Sequence, residues 1–422
     1  MPVWDPIPLA YRNERPDTEG VCGDTNNGFV AIWNWGNLGD GTYTAIVSDN
    51  GEEFARSTFT VTTTGEGFLT GAQARVTVWD FPSPGETAVL EWNESTQHFE
   101  IVEVGFIQAP LASYDRAYWR EVGQDIAART YTTADFLYAS LPDLDACRAG
   151  TLTQEAKDRA LEGMNQIRAL HGLADASYSF LYDPSVQEAA LIQAANSYLT
   201  HYPDPGDRCY TEAGSEGSGT SNLASTIHSA NSSFHGGSRD GDDPVAHMIG
   251  WTNDAHNAAL VAAAGHRRWL LNPFATYMSY GQVGGKGVQK VLGFGREPHI
   301  TPQVEVDYIA FPYETYPFTL MSDDPPWSFS MVEDKSSSFR NRHPYFDSAT
   351  VSVTRVSDGT SLTVSNLYTD TRGFGVPNFL SWWVVDWEFD TLYQVEINNV
   401  AMQSGGTRSF SYQVYIDYAG LM

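Results

Sequence analysis

Apolar residues change their spacing twice along this chain, and that change limits the possible folds more than any other sequence feature. Residues 1–105 and 301–422 place apolar side chains at alternate positions between turn residues, which is typical of β-strands. Residues 146–300 place them first at helical spacing and then in strand-like runs. The sequence therefore predicts an N-terminal β module, a connector over 106–145, a central domain of helices and strands, and a C-terminal β domain.

Start and stop signals predict two main helices in the central domain. Thr153 can cap the first helix, and Gly172 can end it. Asp183 is expected to cap the second helix, which runs over 184–199 and must stop before Pro203. These two helices come before any strand of the domain, which predicts an α+β or three-layer order.

Shorter elements follow in the same domain. An Asp-Pro pair at 243–244 and the run GHRRWL at 265–270 each predict a short helix. The Gly/Ser-rich stretch AGSEGSG at 213–219 reads as a loop. The runs TYMSYGQVGG at 276–285 and QKVLGFGRE at 289–297 predict strands.

The flanking regions predict hairpins. Turn residues at 49–51 separate two alternating runs, and NESTQH at 93–98 separates TAVLEW from FEIVEV. In the C-terminal region, residues 357–359 are expected to close a hairpin over 349–368. Regular short strands there are typical of an immunoglobulin-like sandwich. The pattern breaks over 106–145, where YDRAYWREVGQDIAART predicts one short helix.

The charge balance excludes several classes of partner. The chain has 52 acidic and 24 basic residues, a formal net charge of −28. Such a surface repels nucleic acid and anionic lipid, so we expect neither as a partner. No apolar run is long enough to span a bilayer, so no membrane span is expected. The first residues lack the pattern of a secretory leader, which leaves either a cytosolic protein or one whose leader is absent from this chain.

Histidines cluster in the central domain, but familiar catalytic motifs do not accompany them. Eight of the ten histidines lie between residues 171 and 299. The sequence has no HExxH zinc-protease motif, no P-loop and no GxSxG nucleophile elbow. The histidines therefore point to a site only if other segments supply its geometry.

Four segments in order supply such a context. They are ANSYLTHYP with His201, SNLA beginning at Ser221, GWTNDAHN with Asp254, and AAAGHRRWLLNP with His266. In order and spacing, residues 147–298 resemble the CAP superfamily, which comprises the cysteine-rich secretory, antigen 5 and pathogenesis-related proteins and bacterial relatives. The resemblance includes NQIRALHGL at 165–173. It implies a central α/β/α three-layer sandwich and an extracellular or cell-surface location.

The resemblance also implies a cleft built from these segments. His201 and His266 match the two family histidines, and Asp254 takes the place of one of the two family acids. Ser221 takes the place of the other acid, which weakens a divalent-metal site, because zinc needs three or four good ligands. A zinc ion on His201, His266 and Asp254 is one expectation, with Ser221 and His256 as further ligand-binding residues. Compensating donors could come from His247, His256 or Glu216.

Residue types around His266 suggest how it is positioned. Trp269 and Leu270 lie three and four positions after His266, on the same side of the predicted helix as His266. They would anchor this helix in the domain. Arg267 and Arg268 are expected to point toward solvent or an acidic partner. Ser221 with a histidine and Asp254 also has the composition of a nucleophilic triad, although loss of the acidic site is the simpler interpretation.

The three cysteines are an odd number and form no CxxC motif. The resemblance implies a Cys147–Cys209 disulfide, which leaves Cys22 unpaired and indicates an oxidising compartment. The loop at 238–244 carries Asp240, Asp242 and Asp243, a weak calcium signal. A solvated turn in which Asp243 caps the next helix is the alternative.

Three functions remain open on this basis. The first is a secreted or cell-surface binding protein whose cleft or sandwich faces take a lipid, a glycan or a partner protein. The second is a metal- or histidine-dependent hydrolase that uses His201, Asp254 and His266. The third is a structural surface component whose domains act as spacers. The flanking regions resemble β modules that accompany domains of secreted bacterial proteins.

Overall fold

A computed structural model of the 422-residue chain describes seven strand segments between residues 11 and 106 and residues 114–127, 133–225, 243–257, 261–322 and 324–418. The chain divides into two compact units, Met1–Ala109 and Pro110–Met422. The second unit joins the connector, the central domain and the C-terminal domain of the sequence-based division. Cys22, Asp240 and Asp242 lie outside the described residues.

The first unit consists, where it is described, of antiparallel strands. The pairs are β1–β2, β3–β4 and the three-stranded sheet β5-β6-β7. Their bounds are β1 Tyr11–Asn13, β2 Gly28–Val30, β3 Gly41–Asp49, β4 Glu52–Val61, β5 Arg75–Trp79, β6 Glu86–Asn93 and β7 His98–Phe106. Both hairpins predicted here are confirmed, because β3 pairs with β4 and β6 pairs with β7.

The second unit opens with the predicted connector helix, α1 Arg116–Ala127. A short helix, α2 Ala134–Leu137, leads into a two-stranded sheet of β8 Tyr138–Ser140 and β9 Thr151–Leu152. Trp119 and Leu137 from these helices are fully buried in the core. The connector is therefore part of the fold.

Five α-helices follow among the described residues, and side-chain caps explain where some of them begin. Their bounds are α3 Gln154–Ala169, α4 Asp183–Asn196, α5 Glu212–Gly219, α6 Pro244–Asn253 and α7 Gly265–Leu270. The Thr153 hydroxyl accepts from Ala156 N at 3.0 Å, and Asp243 Oδ1 accepts from Val245 N at 2.8 Å. Both predicted caps are confirmed.

Helix α4 differs from its prediction at both ends. Asp183 is its first helical residue rather than its cap, and its carboxylate accepts bonds from Lys157 at 2.5 Å and Tyr178 at 2.9 Å. The helix ends at Asn196, because Ser197 adopts the left-handed conformation with φ 57°. His201 therefore lies beyond the helix.

The Gly/Ser-rich stretch forms helix α5, so its prediction as a loop was wrong. A Cβ at Gly217 would lie 2.2 Å from Ser185 O of α4, and one at Gly214 would lie 2.6 Å from the Ile192 side chain. The glycines let two helices approach closely, and this packing outweighs their poor helix propensity.

The central sheet has the order β10-β12-β13-β11, with β10 Ser177–Tyr178, β11 Ser221–Ser225, β12 Tyr277–Val283 and β13 Lys286–Lys290. Apolar side chains of α4, including Val186 and Ala190, pack on Leu223, Val283 and Val288 of this sheet. The predicted strand at 276–285 is confirmed. The one at 289–297 was wrong for most of its length, since β13 ends at Lys290.

The C-terminal region forms two four-stranded sheets, β14-β16-β19-β18 and β15-β21-β20-β17. The bounds are β14 Tyr308–Phe311, β15 Glu314–Pro317, β16 Trp327–Met331, β17 Thr350–Arg355, β18 Thr363–Asp370, β19 Phe379–Val385, β20 Leu392–Ala401 and β21 Thr407–Asp417. Aromatic rings join the sheets: Phe329 lies 5.3 Å from Phe410, and Trp327 lies 6.3 Å from Tyr393.

The prediction that residues 349–368 form a hairpin was wrong, because its two strands do not pair with each other along their length. Only Thr354 and Ser361 form a bridge near the turn. Beyond it, β17 pairs with β20 in one sheet, and β18 pairs with β19 in the other. The turn therefore carries the chain from one sheet to the other. Alternation shows that a segment is a strand but does not show which strand it pairs with.

The larger of two hydrophobic clusters in the second unit spans the central and C-terminal regions. It includes Met164 and Ile167 of α3, Trp251 of α6, and Phe311 and Trp382 of the C-terminal strands. The sequence boundary at 300 and 301 therefore does not interrupt the packing. Within the described residues, no helix is both long and apolar enough to cross a membrane.

Candidate functional site

Asp254 and His266 form the centre of the candidate site. Asp254 ends α6 in the left-handed conformation, with φ 57°, and its side chain is buried. Its Oδ2 accepts from the backbone N of His266 at 3.0 Å, and its Oδ1 lies 2.8 Å from Nδ1 of the same residue. The predicted pairing of these two residues thus appears as a direct contact.

This contact sets the role of each ring nitrogen. A carboxylate accepts hydrogen bonds, so Asp254 favours the proton on Nδ1 of His266. Nε2 is then the nitrogen that remains for a ligand, either as an acceptor in the neutral ring or as a donor in the charged ring. The His266 side chain is 23% exposed, whereas that of Asp254 is 1% exposed. The acid is the buried support, and the imidazole is the group that solvent can reach.

Arg267 holds the helix that carries His266. It is 1% exposed and donates to the carbonyls of Thr252, Asn253 and Pro326 at 2.6–2.7 Å. Its guanidinium also lies 3.6 Å from the centre of the Phe311 ring. Burial lowers the pKa of Arg267 to about 10. The expectation that Arg267 points to solvent was wrong, because carbonyls distant in sequence surround it.

Arg268 is buried as well, and it does meet an acid. Its NH1 lies 3.0 Å from Asp370 Oδ2, and its NH2 donates to the carbonyls of Arg372 and Val376. Leu270 is fully buried in the core, as an anchor must be, and Trp269 is partly buried. Side chains on several faces of α7 therefore fix the position of His266.

Two supporting residues were missed in the sequence. Arg168, at the end of α3, is fully buried and donates from NH1 to the carbonyls of Leu270 and Asn272, both at 2.9 Å. Asn222 donates to the His266 carbonyl at 3.3 Å and to Gln289 Oε1 at 3.2 Å. Arg168 lies in NQIRALHGL and Asn222 lies in SNLA, two of the segments that resemble the family. Their place in these segments was the sequence signal that could have identified them.

Ser221 lies at the start of β11, next to Asn222. It is 5% exposed, and its Oγ has no hydrogen-bond partner within the part of the chain that the structure describes. Successive strand residues point to opposite faces, so Ser221 and Leu223 share a face and Asn222 lies on the other. Leu223 packs on α4, whereas Asn222 reaches α7. The hydroxyl is therefore buried on the sheet face opposite Asn222, and its role as a nucleophile stays a prediction.

His201 is exposed and attached to α5. Its Nδ1 lies 2.9 Å from the Ser218 carbonyl, three residues before Ser221. Contacts thus connect the four segments in sequence: His201 meets the end of α5, β11 follows it, Asn222 bonds to His266, and His266 bonds to Asp254. The roles of these residues as one catalytic or metal site remain a prediction.

The other histidines occupy different environments. His247 is buried, and its Nδ1 lies 2.5 Å from Tyr280 Oη. His256 is exposed just after Asp254, and Glu216 is exposed on α5. Among the described residues, no three His, Cys, Asp or Glu side chains form a group that could hold a metal ion. Both Asp254 oxygens already accept from His266, so these residues do not by themselves fit a zinc site, and zinc remains only a prediction.

Cys147 and Cys209 form a disulfide with a Cα–Cα distance of 5.1 Å, and this prediction is confirmed. The bond connects the segment before β9 to the loop between α4 and α5. In the proposed calcium loop, Asp243 serves as a helix cap and also accepts from Arg159 at 3.3 Å. The contact with Val245 N agrees with the alternative in which Asp243 caps the next helix.

The helices, sheet and Asp–His pair define a mixed α/β domain in which an acid at the end of α6 supports a histidine at the start of α7. Residues 161–294 match the family model of the cysteine-rich secretory protein family, CAP, and the chain thus contains a CAP domain. Searches of curated proteins and of solved structures return no significant match.

Proposed function

We propose that this protein is a secreted or cell-surface binding protein that takes a ligand in the cleft beside His266. The single observation that carries the proposal is the Asp254–His266 contact. A buried acid supports a partly exposed imidazole through Nδ1, which leaves Nε2 as the nitrogen for a ligand. A group held in this way is suited to recognition, because its orientation is fixed before the ligand arrives.

Two further features support an extracellular setting. Disulfides persist in oxidising compartments, and this chain has one between Cys147 and Cys209. The matched family is described as secretory. A lipid, a glycan or a partner protein is the proposed ligand class.

We also propose the three-layer order for the CAP domain. Val288 of β13 packs on α4, whereas its neighbours Gly287 and Gln289 lie beside His247 and Met164 of α6 and α3. Alternate strand residues point to opposite faces, which supports helices on both sides of the sheet. Flanking β domains, the last of them immunoglobulin-like, complete this proposed layout.

The test uses Zn²⁺ as an external probe of the single nitrogen Nε2 and not as a resident metal, since the ion coordinates an accessible neutral imidazole nitrogen. Calorimetric titration of the full chain should give saturable binding that is lost in His266→Ala. The same titration of His299→Ala, an exposed histidine outside the pair, should match the parent protein. Equal binding by the parent and His266→Ala would show that Nε2 is not available and would reject the cleft.

The same pair also favours a second candidate, a hydrolase in which His266 acts as a general base. A base supported by a carboxylate is the arrangement that such enzymes use. Hydrolysis of p-nitrophenyl acetate distinguishes the two candidates. A rate that falls at least about a hundredfold in His266→Ala would favour the hydrolase. If His266→Ala hydrolyses the ester as fast as His299→Ala, the hydrolase is rejected and the binding function is retained.

A further inference from the structure

A groove on the C-terminal sheets has a composition that the CAP cleft does not explain. Its volume is about 520 Å³, within the range of small-molecule pockets. Its lining combines aromatic, acidic and amide side chains, among them Phe318, Asp324, Asn366, Trp383, Asp386 and Trp387. It draws no residue from α6 or α7, so ligand binding in this groove is independent of the proposed function.

The aromatic side chains of the groove are held in place. Trp387 Nε1 donates to Asp324 Oδ1 at 2.8 Å, which fixes the indole against the turn before β16. Phe318 contacts the stacked pair Phe389 and Tyr418 edge-on, at ring distances of 6.0 and 5.2 Å. Two rings that meet the groove, Phe318 and Trp387, are thus oriented by protein contacts.

The backbone brings polar side chains to the same groove. The β18–β19 register shifts between Ser365 and Tyr368, and Asn366 at this bulge has φ 53°. Asp386 follows the end of β19 with φ 60°. Bulges re-aim side chains, and the Asn366 and Asp386 side chains are both exposed here.

The charge of the groove selects its ligand. The described lining residues include two carboxylates, Asp324 and Asp386, and no lysine or arginine. The whole chain carries a formal net charge of −28, so the surrounding field also favours cations. Aromatic faces attract cations through their quadrupoles, and this preference is strongest for tryptophan.

We propose that this groove binds an organic cation with a methylated ammonium head group. A primary ammonium is held best by several converging acceptors, but Asp324 Oδ1 already accepts from Trp387, and more than half of the lining side chains are apolar or aromatic. A methylated ammonium needs negative potential and aromatic faces, without those acceptors. Trp383 and Trp387 supply aromatic rings in the wall, and Asp386 supplies the charge.

Calorimetric titration of the full chain with choline tests this proposal. We expect saturable binding that weakens roughly fivefold or more in Trp387→Leu and in Asp386→Asn. Asn tolerates the left-handed backbone at position 386, so the second variant should fold. Asp347→Asn, which changes an exposed acid that does not line the groove, should bind like the parent chain.

Three comparison ligands make the result specific. The neutral isostere 3,3-dimethyl-1-butanol should bind at least about fivefold more weakly than choline, because it lacks the charge. Lysine carries an ammonium group without methyl groups, and cellobiose is a neutral sugar. Binding of the isostere, of lysine or of cellobiose as tight as that of choline would overturn the proposal. Absence of choline binding in the parent protein would overturn it as well. Loss of Zn²⁺ binding at His266 would leave this result unaffected, so the two sites fail separately.

Discussion

His171 shows how burial of a single titratable residue affects the whole fold. Its ring is buried, with Nε2 3.0 Å from Tyr316 Oη, so the turn after α3 is bonded to strand β15. Burial lowers its pKa to about 3. The folded protein therefore holds a neutral histidine where the unfolded chain binds a proton near pH 6.5.

We expect acid to destabilise the protein through His171. Because its folded pKa is lowered, its contribution is complete above about pH 6.5 and is lost as the pH falls toward 3. The slope should be about 1.4 kcal/mol per pH unit below pH 6 for this residue. Urea unfolding from pH 7 to 4 measures it. A His171→Gln variant should have a shallower slope, and His299→Gln should keep the parent slope.

Asp390 has the opposite pH dependence. Burial raises its pKa to about 6, while its Oδ1 accepts from Tyr418 N at 3.0 Å. The ionised form is thus destabilising above pH 6, and the effect disappears as the pH falls toward 4. We expect Asp390→Asn to raise the free energy of unfolding by about 2 kcal/mol at pH 8 and to leave it unchanged at pH 4. Denaturant unfolding at both pH values checks this, and equal effects at the two would contradict it.

At the scale of elements, local signals could be predicted and distant contacts could not. Thr153 and Asp243 cap their helices because a cap depends on the next three residues. Helix α5 was missed because its glycines serve contacts with Ser185 and Ile192 of another helix. The strand pairing of 349–368 was missed because β17 and β18 find partners in different sheets. The Asp254–His266 pair was found because family segments marked both residues.

Helix α7 gives a test of such distant contacts. Arg267→Met would leave buried carbonyls of Thr252, Asn253 and Pro326 without their donor. We expect a loss of about 3 kcal/mol or more in the free energy of unfolding. The first two carbonyls directly precede Asp254, so the His266 ring signals in ¹⁵N NMR should shift as well. Arg120→Met, at an exposed arginine of α1, is the matched control and should change neither quantity.

At the scale of the whole molecule, the disulfide closes a long stretch of chain. Cys147 and Cys209 are separated by 62 positions. We expect Cys147→Ser with Cys209→Ser to lower the free energy of unfolding by roughly 2–4 kcal/mol, since the cross-link restricts the unfolded chain. Guanidinium unfolding with and without reductant measures the effect. A double variant that remains sensitive to reductant would contradict this assignment.

The buried arginines also determine which piece of the chain can fold alone. A fragment of residues 110–300 lacks Pro326, Asp370 and Val376, which bind Arg267 and Arg268. We expect this fragment to lack a cooperative thermal transition, whereas residues 110–422 should show one. Circular dichroism on heating compares the two fragments. Cooperative melting of 110–300 would show that these contacts are dispensable.

Arg267 and Arg268 lie inside the stretch that matches the family, yet most of the groups around Arg268 lie beyond its end. The segment that sequence comparison delimits is therefore shorter than the segment that recombination could transfer intact. A graft of residues 161–294 into another host would bring the Arg268 guanidinium without the acceptors on residues 370, 372 and 376. For protein engineers, the transferable module of this chain is the CAP domain together with its C-terminal sheets.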